Sequence, residues 1–341
     1  MKATARVIIP TALALLLSVT ALFFIGRRLR YPHYYEYAGE TGLNASLMRR
    51  HYGRPHKSSE RLLGICLAAD RGDWDKVLEM TSPDRSNTLE TYFHNLACAM
   101  KGCLADSLMH YYQPFSRGLF LTVDEMTSPF VIAQSGEVWY RLGAMTMAEH
   151  SAMLALAFSP AKTGPKFLRR LADINFINGD SEAVLKYERI LGYRPEWTPD
   201  KLQIRSFIAR TDTVHLAKDF RSLLKLLIRS NPDNAAARDY LLCLDLLEKD
   251  IDAFVKDYGA DGPSSRLYEE AALIYLCGSG TTSSDLLSRF HVGEETLREF
   301  IDFTHIFESA EGDRRIPLEK YRHTYWYYYK FATLVTNDGK H

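Results

Sequence analysis

The amino-acid sequence predicts an all-α protein, an antiparallel helix-hairpin solenoid behind one N-terminal transmembrane helix. Three observations predict it. Residues 7–25 carry no charge. After residue 57, apolar residues recur at spacings of three and four, in runs broken by Gly, Pro and Asp. No run alternates with period two over enough residues to make a strand. The 341 residues exceed the ~100–150 of a usual domain. Stacked hairpins escape that limit, because each buries its apolar face against the next. With 46% hydrophobic and 25% charged residues, the composition is that of a folded chain. A formal net charge of zero lacks the basic excess of a nucleic-acid binder.

Behind a short tail (1–6), the stretch Val7 to Ile25 nearly matches a ~30 Å hydrocarbon core at 1.5 Å per residue, so residues 7–26 read as a membrane anchor. A cleaved leader would show a small-x-small site next, and Phe23, Phe24 and a run of arginines stand there instead. Arg27, Arg28 and Arg30 close the span, and Tyr31, Tyr34, Tyr35 and Tyr37 occupy the place of an interfacial aromatic belt. Residues 27–57 read as a juxtamembrane linker. Arg27, Arg28, Arg30, Arg49, Arg50, Arg54 and Lys57 outweigh Lys2 and Arg6, which leans the body towards the cytoplasm, with the periplasm as the alternative. The five cysteines, Cys66, Cys98, Cys103, Cys243 and Cys277, form no framework. Four lie in apolar helical stretches as small buried hydrophobes.

The array spans 58–317. Ser58–Arg71 places Leu62, Leu63, Cys66 and Leu67 on one face, with Ser58 or Ser59 as N-cap. Gly72 and Asp73 turn it into Trp74–Met80, and Pro83 ends the unit. The pair Asn87–Lys101 and Leu104–Tyr112 hinges at Gly102. A looser stretch, Phe115–Ser128, interrupts. Pairs resume at Pro129–Leu142 with Met145–Phe158, Pro165–Phe176 with Ser181–Leu191, Pro199–Ala209 with His215–Ser230, and Ala235–Leu247 with Ile251–Tyr258. Ser264–Cys277, Ser284–Phe290 and Glu294–Glu308 follow. A capping helix at 318–336 and a tail at 337–341 complete the chain.

A tetratricopeptide repeat is ~34 residues, with small residues at its helix crossing and a proline at its end. Gly143, Ala148, Ala152, Ala155 and Pro160 fit that plan. Ala183, Tyr187, Ile190 and Pro195 repeat the last four positions, and Gly179 is displaced by one. At the third candidate unit, ended by Pro232, Phe220 and Leu224 hold the small positions and the match fades. The segments Trp74-Asp75-Lys76-Val77-Leu78, Tyr92-Phe93-His94-Asn95-Leu96-Ala97 and Gly118-Leu119-Phe120 resemble an uncharacterised family of bacterial membrane proteins with a helical-repeat region after several spans. The resemblance implies a membrane location and a tetratricopeptide-like body, and with the one apolar stretch of this chain the expected location is a single-pass protein of a bacterial inner membrane. It implies no activity or site residues, and this chain has one span where the family has several.

Signatures of catalysis are missing. There is no phosphate loop or nucleophile elbow, and Gly278-Ser279-Gly280-Thr281-Thr282 follows a helix rather than a strand, so it reads as a turn. None of the eleven histidines pairs with another at i+4. Cys98 and Cys103 would point about 140° apart on one helix, unless Gly102 bends the chain. No catalytic, cofactor or metal residue is expected.

Two surfaces are candidate partner sites. Lys218, Arg221, Lys225 and Arg229 form a basic stripe opposite Phe220, Leu223, Leu224, Leu227 and Ile228, either a solvated face or a docking edge for an acidic partner or lipid headgroups. On the C-terminal helix, Tyr321, Tyr325, Tyr328 and Ala332 share a capping face, leaving Trp326 and Tyr329 for a partner interface. The expected function is a membrane-anchored protein–protein interaction scaffold with no catalytic activity, nucleic acid or small-molecule substrate. The alternative is a structural subunit of a membrane complex without a free groove.

Overall fold

The computed structural model describes residues 20, 22, 25–82, 87–159, 162–195, 219–259, 262–280 and 284–333. The expected anchor, the helix Pro199–Ala209 and Lys218 lie outside the described residues, apart from Thr20, Leu22, Ile25 and Gly26. No helix among the described residues is long and apolar enough to cross a membrane. Every regular element among them is helical, which bears out the all-α reading.

The expected linker is instead part of the body. Residues 27–57 contain helices α1 (Pro32–Thr41) and α2 (Ala45–Tyr52), the latter capped by the Asn44 side chain. Tyr34, Tyr37 and Met48 are buried in the main core, so two of the four expected belt tyrosines face protein. The physical reason is that helix α3 (Lys57–Arg71) offers them both a surface and a cap. The carboxylate of Glu60 accepts the N–H groups of His33 (2.8 Å) and Tyr34 (3.0 Å), satisfying the first donors of α1. α3 itself opens with His56 as cap, and Ser59 closes the box from the third position.

Helix α4 (Trp74–Met80) starts at Asp73, and α5 (Thr88–Met100) at Asn87. Gly102, at φ 73°, then turns the chain so that Cys103 N–H bonds Cys98 O at 2.8 Å. That turn brings residues 98 and 103 together, where an unbroken helix would separate them. Both thiols are free, and α6 (Leu104–Ser107) follows. The looser stretch contains a 3-10 turn at Phe115–Gly118, and Leu119 and Phe120 plug the core. The Phe120 ring stacks on Trp139 at 4.9 Å and on Phe220 at 4.6 Å, joining distant parts of the chain.

Helices α7 (Pro129–Leu142), α8 (Met145–Phe158), α9 (Pro165–Asn178) and α10 (Ser181–Leu191) pack consecutively. Gly143 and Gly179 provide left-handed C-caps. The small residues behave as expected in the first unit. Ala148, Ala152 and Ala155 are buried, and a Cβ on Gly136 would come within 2.7 Å of Ser151 Cβ. The second unit departs, because Ile190 is 48% exposed.

Beyond this point come α11 (Phe220–Ser230), α12 (Ala235–Leu247), α13 (Ile251–Tyr258), α14 (Arg266–Ser279), α15 (Ser284–Arg289) and α16 (Glu294–Ser309). α12 is buried nearly all round and touches α5 and α6 as well as its chain neighbours. Packing therefore also links hairpins far apart in sequence, which a strictly nearest-neighbour solenoid does not do. The expected capping helix 318–336 is shorter. A 3-10 turn at Glu319–Tyr321 leads to α17 (Tyr325–Phe331), which starts where the Thr324 hydroxyl accepts Tyr327 N–H.

Candidate functional site

Parts of both expected partner surfaces, Arg221 and Lys225 of one and Trp326 of the other, are engaged within the chain, near the C-terminal end of α12. On α11, Arg221 contacts Asp245 (2.8 Å), Glu248 (3.0 Å) and Asp250 (3.2 Å), and Lys225 contacts Asp257 (2.7 Å). Arg229 is exposed. The stripe is thus a docking edge for the chain's own next hairpin. Burial pushes the Asp245 carboxyl up to about 8, against Arg221 and with Asp257 adding to the rise.

From the other side, α17 lays its aromatic residues on the same helix end. The Tyr325 hydroxyl donates to Leu246 O (2.9 Å) and the Tyr328 hydroxyl to Leu247 O (2.8 Å), while Lys249 Nζ donates to Tyr329 O (2.8 Å). These bonds use carbonyls that a helix end leaves open. Trp326, expected at a partner interface, is fully buried, and its indole N–H donates to Glu270 O at 3.0 Å. Tyr329 is half-buried beside Lys249. An aromatic helix wraps its rings all round when neighbours cover several of its faces, as α12, α14 and α16 do here.

Among the described residues, the largest concentration of buried charge lies elsewhere and was not anticipated. It joins α1, α3, α7 and α9 around Asp70. The Asp70 carboxylate faces Arg170 Nη2 (3.1 Å), Lys166 Nζ (3.5 Å) and Arg169 Nη2 (3.5 Å). Arg170 also reaches Glu137 (2.7 Å), and Arg169 reaches Glu40 (2.6 Å). Arg141, 1% exposed, pairs with Glu137 at 2.7 Å and donates to Ala69 O at 2.8 Å. Aromatic rings close the cluster, with the Arg170 guanidinium 3.7 Å from the Tyr140 ring centre and that of Arg141 4.8 Å from Trp74. Burial would push the Asp70 carboxyl up. Lys166, Arg170, Arg169 and Arg141 together outweigh it and hold the group ionised well below the usual carboxylate range. A cavity of about 20 Å³, room for one water-sized molecule, opens beside Glu137, Lys166, Arg170 and Ser151. The only sequence signal was Glu137 and Arg141 at i,i+4, which reads equally as a solvated pair.

A smaller buried chain surrounds His94. The Thr81 hydroxyl donates to Leu78 O (3.2 Å), so it accepts from His94 Nδ1 (2.8 Å) and leaves Nε2 to face the Cys98 thiol (3.4 Å). Burial lowers the His94 pKa to about 4 and raises the Cys98 thiol to about 12, so neither is charged near neutrality. A thiol so disposed is a packed group rather than an activated nucleophile. The unfolded chain protonates His94 near 6.5, whereas the folded one resists to about 4. Stability is therefore complete above pH 6.5 and falls as the pH drops towards 4, by about 2 kcal/mol at pH 5. Urea unfolding at pH 7 and pH 5 should show this loss, and His94→Gln should remove that part of it. An equal pH dependence in the variant would count against a buried neutral imidazole.

Among the described residues, no group of three or more His, Cys, Asp or Glu side chains is placed to hold a metal ion. A family of unknown function, DUF6057, matches residues 2–332. The chain belongs to the DUF6057 family. No curated protein and no solved structure matches it. The match covers the apolar N-terminal stretch and the helical body together.

Proposed function

We propose that this DUF6057 member is a membrane-anchored interaction scaffold, with residues 7–26 spanning the bilayer and the helical body presenting a surface to another protein. The reading includes no catalysis, and it places the body on the cytoplasmic side of a bacterial inner membrane by the balance of flanking arginines. One observation carries the scaffold. The second helices of two consecutive hairpins leave apolar side chains uncovered, Met153 and Phe158 at α8, and Leu185 and Ile190 on α10, with Tyr193 just beyond. Phe158 and Tyr193 stand at equivalent places in the two units, whereas Ile190 stands where the first unit buries Ala155. The tetratricopeptide-like reading of these units is supported by the buried alanines of α8. The ion network around Asp70 supports the same reading, because it pins the first helices α7 and α9 to one another.

The alternative, a subunit held through its terminal helix, is disfavoured by the burial of Tyr325 and Trp326 inside the chain's own body. The test is recovery of the full chain from cells after mild cross-linking. Phe158→Glu combined with Leu185→Glu should leave helix content and melting unchanged and remove an exchangeable, substoichiometric partner. Undiminished partner recovery, or a partner at fixed one-to-one ratio, would reject the scaffold.

A further inference from the structure

We propose that the exposed cationic face of residues 27–57 binds the anionic headgroups of a bilayer and lays the body against the membrane surface. The proposal rests on the reading of residues 7–26 as an anchor, which delivers this face to the lipid.

The face is built by tertiary contact. The Tyr34 hydroxyl donates to Gly53 O at 2.7 Å, tying the first turn of α1 to the chain leaving α2. That bond ties the helix that follows Arg27, Arg28 and Arg30 to the residue between the Arg49–Arg50 pair and Arg54. Burial and the neighbouring Tyr35 raise the Tyr34 phenol, while the charges of Arg49 and Arg27 oppose that rise. Arg28, Arg30, Arg49, Arg50, Arg54 and Lys57 are all exposed. The only acids between residues 25 and 57 are Glu36 and Glu40, and they are engaged by Arg71 and Arg169 of other helices. Among the described residues, no carboxylate lies within ion-pair distance of those six cations. This differs from α11, whose Arg221 and Lys225 are answered by four acids.

A second feature selects lipid over a soluble polyanion. Leu22, Ile25 and Leu29 are 68%, 55% and 77% exposed, spaced three and four apart, with residues 25–30 helical. Leu22 and Ile25 belong to the uncharged sequence 7–25, and Leu29 carries exposed apolar surface past it, in among Arg27, Arg28 and Arg30. An acidic protein or a nucleic acid would match the charges and leave this stripe in water. An anionic bilayer matches both, taking the stripe at its acyl boundary and the arginine heads at its phosphates.

The test is arginine footprinting of the full chain in lipid nanodiscs, with phenylglyoxal as reagent and mass spectrometry as readout. Discs of phosphatidylcholine alone are compared with discs that also contain phosphatidylglycerol. Arg28, Arg49, Arg50 and Arg54 should react several-fold more slowly in the anionic discs at low salt, and recover at high salt. The exposed Arg189 and Arg298 should not change. Arg49→Glu with Arg50→Glu, at unchanged helix content, should abolish the lipid dependence at Arg28 and Arg54. Equal reactivity in both discs would overturn the proposal. The anchor is judged separately by whether the chain stays with neutral discs in high salt, so its failure and that of the headgroup contact are distinguishable.

Discussion

Asp70→Ala is expected to destabilise the body by about 3–5 kcal/mol, the usual cost of removing one partner from a buried ion cluster. Among the described residues, the Asp70 carboxylate is the only acid that faces Lys166, Arg169 and Arg170 together. Without it, Lys166 loses its carboxylate partner, and Arg169 and Arg170 keep Glu40 and Glu137 as their ion-pair partners. Asp70→Asn keeps the shape and loses the charge, so it isolates the electrostatic part. Urea unfolding followed by circular dichroism measures both. A cost below about 1 kcal/mol would mean that the cluster behaves like surface ion pairs. A double-mutant cycle with Glu137→Gln should show strong coupling, since Arg170 bridges the two acids at 3.1 and 2.7 Å.

Trp326→Ala is expected to cost a similar amount, about 3–5 kcal/mol, by leaving a cavity where an indole was fully buried. The ring lies 5.2 Å from Phe300, 5.8 Å from Phe303 and 6.1 Å from Tyr321, and its N–H holds Glu270 O. Helix α17 has only the residues Tyr325–Phe331, too few to persist without such packing. Removal of the indole should therefore release the C-terminal segment, read as proteolysis after Lys320 or Arg322. Tyr329→Ala, at a half-buried position, should cost clearly less. If Trp326→Ala kept full stability and instead removed a bound protein, the interface role first assigned to this residue would be restored.

Arg221, Lys225 and Trp326 are covered by the chain itself for a reason the sequence does not show. Spacing shows that Arg221 and Lys225 share a helix face, but whether that face meets water or acids depends on where residues 245–257 are carried. Likewise, the crowd of aromatics in α17 was legible, whereas the burial of Trp326 required α14 and α16 to close over it. Residues 27–57 were misread as a linker because their helical pattern is short, and their cap, Glu60, lies on the next helix.

What the sequence determined by itself is the local layer of this protein. The helical class, most hairpin boundaries from Thr88 to Tyr258, their Asn, Asp and Gly caps, and the small residues at the α7–α8 crossing all follow from interactions within a few residues. The tertiary structure alone decided which charges are buried, which aromatic rings are covered, and that Phe120 and α12 join hairpins distant in the chain. Burial is a property of what comes to lie opposite. A repeat period of ordinary amphipathic helices carries no record of its partner until the chain has packed.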